Sequence, residues 1–94
     1  MEPRRPTARF AVSLVRPSTG DTVQLFDRSE DPLCVGIAWR AWDFGDGATS
    51  VGLAPSHRYA LPGDYEVTLT LATFDGRVGR ETQRVSVSER KVQP

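Results

Sequence analysis

The chain predicts an all-β domain: two antiparallel sheets packed face to face, built from about seven short strands. Three observations predict it. Apolar and polar residues alternate in short runs, most clearly where Tyr65, Val67, Leu69 and Leu71 share one side and Glu66, Thr68, Thr70 and Ala72 the other. Turn signals separate these runs, at Pro17 to Gly20, Gly45-Asp46-Gly47, Leu61-Pro62-Gly63-Asp64 and Asp75-Gly76. No helical apolar period and no internal repeat competes with this pattern.

Residues 1–6 are charged and proline-rich and are expected to be linker. The first strand follows. Ala8, Phe10, Val12 and Leu14 face inward, alternating with Arg9, Ala11, Ser13 and Val15. After the turn at Arg16 to Asp21, the second strand places Val23 and Leu25 inward and Thr22, Gln24 and Phe26 outward. Asp27 to Gly36 is a loop of some length, polar first and then Pro32, Leu33, Cys34 and Val35; longer loops of small domains often carry function. The third strand runs from about Ile37 to Phe44. Trp42 and Phe44 lie two apart, so both rings fall on one face and bury against a second layer.

Gly45 and Gly47 then permit positive φ, and Asp46 can accept from nearby amides, so the strand turns. A short fourth strand is expected at Ala48 to Val51 and a short fifth at Ser56 to Tyr59. The sixth strand is the alternating run at Tyr65 to Ala72. Asp75-Gly76 marks a hairpin into the seventh, which has Val85 and Val87 inward. Val78 has the opposite parity to those two, which predicts a bulge or break near Glu81 to Gln83. Residues 89–94 form a charged tail, expected to be a second linker, so the domain spans 7–88.

Seven short strands with regular turns imply a sandwich of immunoglobulin type. The expected sheets are strands one, two, five and four against three, six and seven. Trp42 then occupies the core tryptophan position of such sandwiches. It must pack on aliphatic side chains, because Cys34 is the only cysteine and no internal disulfide can form.

The totals bound the rest. Ninety-four residues make one small core with little surplus stability. Twelve basic and twelve acidic residues balance, which argues against nucleic acid or an anionic membrane as partner. No apolar run is long enough to cross a bilayer, so no membrane insertion is expected. No cofactor is implied, and a monomer is expected in isolation.

At Trp42-Asp43-Phe44-Gly45-Asp46-Gly47, then His57-Arg58-Tyr59 with Leu61-Pro62-Gly63, then Tyr65-Glu66-Val67-Thr68-Leu69, the chain strongly resembles the PKD domain, the polycystic-kidney-disease repeat. The resemblance covers roughly Thr7 to Ser88. It implies an Ig-like, non-catalytic extracellular or cell-surface module of a larger protein. Such a module acts as a spacer or mediates protein–protein or protein–carbohydrate contacts. The alternative it implies is an accessory domain that binds polysaccharide or collagen-like substrate for an attached secreted hydrolase or protease. Expected partners are neighbouring domains of the same protein, or a protein or polysaccharide ligand. The sequence departs from the family at Arg40, where an aromatic is frequent, and over Ser29 to Cys34, a region whose acids bind calcium in some collagenase members. Phe26, Trp39 and Phe74 stand where the family keeps small or polar residues.

Candidate sites are few. Asp43, Asp46 and His57 could be imagined as an acid–base set, but short carboxylates flanking a tight turn satisfy backbone amides, and no nucleophile elbow or phosphate loop accompanies them. No catalytic residue is expected. Asp27, Glu30 and Asp31 are hard oxygen donors within five residues. No glycine folds them around an ion and Pro32 follows, so they read as a solvated loop with no metal. Trp39, three residues before inward Trp42, points outward near Phe74 at the end that also holds Leu33 and Val35. Trp39, Phe74, Leu33 and Val35 are the expected binding residues. The structural motif residues are Trp42, Asp43, Phe44, Gly45, Asp46, Gly47, His57, Tyr59, Pro62, Gly63 and Tyr65.

Overall fold

The computed structural model describes residues 5–14 and 16–90. Val15, residues 1–4 and residues 91–94 lie outside the described residues, and with them most of both expected linkers. Seven strands follow in order: β1 (Phe10–Val12), β2 (Thr22–Asp27), β3 (Ile37–Asp43), β4 (Thr49–Ser50), β5 (Ser56–Arg58), β6 (Gly63–Thr73) and β7 (Val78–Val87). They form two antiparallel sheets, ordered β1-β2-β5 and β4-β3-β6-β7, and no helix occurs among the described residues.

The core lies between the sheets and is built from the inward positions that alternation requires. β2 gives Val23 and Leu25, β3 gives Trp42, β6 gives Val67, Leu69 and Leu71, and β7 gives Val85 and Val87, all buried. Phe10 of β1 meets Trp42 edge to face at 5.2 Å. The Trp42 indole N–H donates to the Gly52 carbonyl at 2.7 Å, so the largest core side chain also fixes the loop after β4.

Four features differ from the expectation. First, β4 joins the sheet of β3 rather than that of β2. It pairs Trp42 with Ser50 and Asp43 with Thr49, and the Phe44 amide donates to the Ala48 carbonyl. The Gly45 and Gly47 backbones, both at positive φ, close the turn onto the Phe44–Ala48 hydrogen bond, so the strand after it folds back beside β3 instead of crossing to the other sheet. Second, β1 has only three residues, and Leu14 is exposed rather than inward. Third, β7 carries no bulge. Its register with β6 is unbroken from Val87 to Val78, and Val78 simply faces outward. The inward positions between are polar. Glu81 accepts the Phe10 amide and Gln83 donates to the Phe10 carbonyl, so two β7 side chains serve the backbone of β1 in the other sheet. Fourth, the bulge sits in β3, between Ile37 and Trp39. It lets Ile37 pack against the core while Trp39, on the other side of the irregularity, faces out.

Packing reaches slightly past the expected domain limits. Pro6 is buried, and a side chain at Gly79 would meet the Pro6 carbonyl at 2.4 Å. At the other terminus the Arg90 amide donates to the Thr19 hydroxyl, and the Arg90 guanidinium pairs with Asp21.

Candidate functional site

Strand directions define two ends of the sandwich. One end gathers the β2–β3 loop, the start of β3, the end of β6, the β6–β7 turn and the start of β7. The four residues expected to bind stand at this end. Trp39 is 50% exposed, Phe74 73%, Leu33 48% and Val35 44%. Trp39 lies opposite Ala72, which lies opposite Val78, making one row across the outward face of the sheet. Val78 is itself 40% exposed. The Phe74 amide donates to the Gly36 carbonyl, and the Phe74 ring covers Gly36. Phe26 is exposed too, but on the sheet of β1 and β2.

What holds this end together is charged and internal. Asp31 accepts the amides of Leu33, Val35 and Gly36, so one carboxylate shapes the loop that presents Leu33 and Val35. The Arg77 guanidinium bonds both oxygens of Asp31, at 2.8 and 3.0 Å, and its Nε bonds both oxygens of Asp75 at 2.9 Å. The Thr73 hydroxyl bonds Asp75 and accepts the Arg77 amide. Arg77 therefore ties the β2–β3 loop to the β6–β7 turn, and thus Leu33 and Val35 to Phe74. Beside it, inward Arg40 pairs with Asp27 at 2.7 Å, joining β3 to the end of β2 across the sheets.

This corrects the expectation of a solvated acidic loop. Asp27 and Asp31 are almost fully covered and each is held by an arginine. Their partners arrive from β3 and from beyond β6, far along the chain. Among the described residues no cluster of ligating side chains could hold a metal ion.

The Arg77 guanidinium holds the Asp31 carboxyl well below the ordinary carboxylate range against the opposing effect of burial, with the loop amides adding to it. Arg77, then Thr73, lowers Asp75 as well. A carboxyl held below its unfolded value, about 3.9, adds stability above that pH and loses it as pH falls through the folded value. The domain is therefore expected to lose urea resistance below about pH 4. The Asp31→Asn variant should start less stable at pH 7 and lose less on acidification. Equal losses in both proteins would remove Asp31 as a cause.

The turn after β3 is a second polar cluster, and it is structural. Asp43 accepts the Gly45 amide and Asp46 the Ala48 amide. His57 bonds Asp46 at 2.7 Å and stacks on Phe44 at 4.3 Å. Burial alone would raise the Asp46 carboxyl, but the His57 and Ala48 hydrogen bonds outweigh it and keep it low. The buried Tyr59 hydroxyl donates to the Phe44 carbonyl, and burial keeps it a neutral phenol. Tyr59 stacks on Tyr65, whose hydroxyl donates to the Leu61 carbonyl before Pro62 and Gly63. An open cleft of about 540 Å³ runs between β1 and β7, lined by Arg9, Glu30, Glu81 and Gln83 among others. The Glu81 and Gln83 side chains there already hold β1 in place.

Two tryptophans with opposite environments give a direct test. Trp42 is fully buried and Trp39 half exposed. Acrylamide is expected to quench one emission component and spare the other, and Trp39→Phe should remove the quenchable one. Two protected indoles would contradict the exposed placement of Trp39.

Two antiparallel sheets, a fully buried tryptophan near the end of the third strand and an aspartate–glycine turn after it define an Ig-like β-sandwich module. The chain belongs to the PKD domain family: the family's sequence profile matches residues 4–88. The solved PKD1 domain from Vibrio cholerae metalloprotease PrtV superposes with a TM-score of 0.80 at 33% identity, covering 90% of this chain and 99% of that one. A chain solved in work on the promiscuous specificity of carbohydrate-binding modules from the β-sandwich superfamily superposes with a TM-score of 0.88 at 29% identity. That match covers 97% of this chain and 37% of that one. The microbial collagenase of Vibrio alginolyticus is 40% identical over 47 residues, half of this chain but 6% of the collagenase. The chain thus spans a small part of the curated relative, in which the matching segment is one piece of a larger protein.

Proposed function

We propose that this domain is a non-catalytic module of a larger extracellular or cell-surface protein, comprising residues 7–88 between linkers, and that its contact surface is the end carrying Trp39, Phe74, Leu33 and Val35. The observation that carries this is the contrast at that end. Asp27 and Asp31 are covered and paired through Arg40 and Arg77, while Trp39, Phe74, Leu33 and Val35 stand exposed. Exposed apolar clusters on small domains mark contact surfaces, and a framework locked by hydrogen bonds reduces the ordering cost of binding. The carboxylates and the histidine that could do chemistry are engaged in holding turns.

The likeness to a collagenase, to a metalloprotease PKD domain and to a structure from carbohydrate-binding work supports a second reading. In it the same end presents polysaccharide or a collagen-like protein to an attached secreted hydrolase or protease. NMR titration of the labelled domain tests both, using soluble glycans, collagen peptides and the other domains of the parent protein added in trans. Shifts are expected to centre on Trp39, Phe74, Leu33 and Val35. Shifts confined to the cleft between β1 and β7 would overturn the assignment of the surface. An activity screen of the isolated domain against peptide and glycan substrates is expected to stay blank, and Trp39→Ala-insensitive turnover would overturn the non-catalytic reading.

A further inference from the structure

The polypeptide reaches the sandwich and leaves it at opposite ends, and this selects an occupant for the apolar end. Thr7 exchanges two backbone hydrogen bonds with Glu30, next to the loop-shaping Asp31. Pro6 is buried with its carbonyl against Gly79. Gly79 lies opposite inward Leu71, so Pro6 stands on the core side of β7, at the end where Val78 opens the strand. On the outward face at that same end, the row from Val78 through Ala72 to Trp39 crosses two strand spacings, roughly 10 Å. A domain that precedes residue 5 therefore attaches at the end of the sandwich that carries Trp39 and Phe74. The far terminus is elsewhere. Val87 pairs with Gly63 and Ser88 with Ser18, ten strand residues from Val78, which is about 30 Å along β7. A domain that follows must fold back over that length to reach the patch.

Resting on the contact surface assigned above, we propose that the patch of Trp39, Phe74, Val78, Leu33 and Val35 is covered in the parent protein by the domain that precedes this one, and not by the one that follows. The chemistry fits a folded protein face. The patch residues are apolar, and the carboxylates of Asp27, Asp31 and Asp75 behind them are neutralised within the domain. Interfaces between domains of one chain are modest, about 600–1,500 Å², a size that a few exposed side chains and their rim can anchor. A short tether places the neighbour at high effective concentration, so a patch too small for a stable free complex suffices. Arg77 contributes by joining the two loops that frame the patch, which keeps the docking face in shape before the neighbour arrives.

The test is made in the full-length parent protein. The emission difference between the parent and its Trp39→Phe variant isolates Trp39, and acrylamide quenching of that difference is compared with the 94-residue domain alone. Protection of several-fold is expected in the parent and is expected to persist when the following domain is deleted. A photo-crosslinking benzoylphenylalanine at position 39 should join this domain to the preceding one. Trp39 as quenchable in the parent as in the isolated domain, or crosslinks to the following domain, would overturn the proposal. In that event, Trp39 shifts on adding glycan or collagen peptide would leave the contact surface standing with a different occupant. A Trp39 that responds to nothing would remove both.

Discussion

Trp42→Ala is expected to destabilise the domain by about 3–5 kcal/mol, the range for truncating a buried tryptophan or phenylalanine. Domains of this kind hold only about 5–15 kcal/mol in total, so the variant loses a large fraction of its stability and, at the low end of that range, is largely unfolded at 25 °C. The physical reason is concentrated at one residue. Trp42 is fully buried, lies opposite Leu69, meets Phe10 edge to face, and donates to the Gly52 carbonyl. Alanine loses the packing to both sheets and releases the loop after β4. Trp42→Phe keeps most of the ring volume but not the N–H, so it is expected to cost about 1–2 kcal/mol. Urea denaturation followed by circular dichroism orders the three proteins. If the phenylalanine and alanine variants were equally unstable, the hydrogen bond to Gly52 and not the packing would dominate.

Much of this was legible from alternation alone. The inward sets of β2, β6 and the end of β7 follow from a period of two, because burial on one face dictates it. The turn after β3 was legible for the same local reason: Asp43 and Asp46 lie two residues before the amides they accept. At the candidate site the failures involve pairing across distance. Arg77 meets Asp31 forty-six residues away, and Arg40 meets Asp27 in the facing sheet. Nothing local in the acidic loop signals that cations will reach it.

β7 failed in an instructive way. The opposite parity of Val78 to Val85 and Val87 argues for a bulge or break near Glu81 to Gln83, yet the register is unbroken and Glu81 and Gln83 stand at inward positions. They stay inward because β1 is an edge strand whose Phe10 amide and carbonyl point away from β2, leaving them for Glu81 and Gln83 to satisfy. Inward polar residues on an edge strand also discourage pairing with other chains. At the candidate site, exposure of Trp39 was readable from its offset to Trp42. The rigidity of the patch was not, since it depends on Arg77 bridging two loops.

Gly45→Ala is expected to be nearly as damaging as a core truncation, although Gly45 itself is exposed. Two costs add there. Its φ is +86°, a conformation that charges an alanine about 1–2 kcal/mol. A β-carbon would also stand 2.6 Å from the Glu66 carbonyl oxygen and 3.0 Å from the Glu66 nitrogen, and these are backbone atoms of β6 that cannot swing aside. The total is expected to be on the order of 3 kcal/mol. Gly47 separates the two costs. Its φ is +96°, yet a β-carbon there meets nothing within 4 Å. Gly47→Ala should therefore show the conformational cost alone, about 1–2 kcal/mol, and the difference between the variants measures the close approach of the turn to β6. Gly45→Asn and Gly47→Asn refine this, because asparagine tolerates positive φ but keeps the β-carbon. Asparagine should stay close to the alanine variant at position 45 and recover most of the loss at position 47. Equal destabilisation by Gly45→Ala and Gly47→Ala in chemical denaturation would mean that Glu66 does not crowd the turn. The glycine in Trp42-Asp43-Phe44-Gly45 would then serve conformation only. The expected inequality instead makes Gly45 a packing residue: it lets the backbone that leaves the core tryptophan lie directly against the longest strand of the sheet.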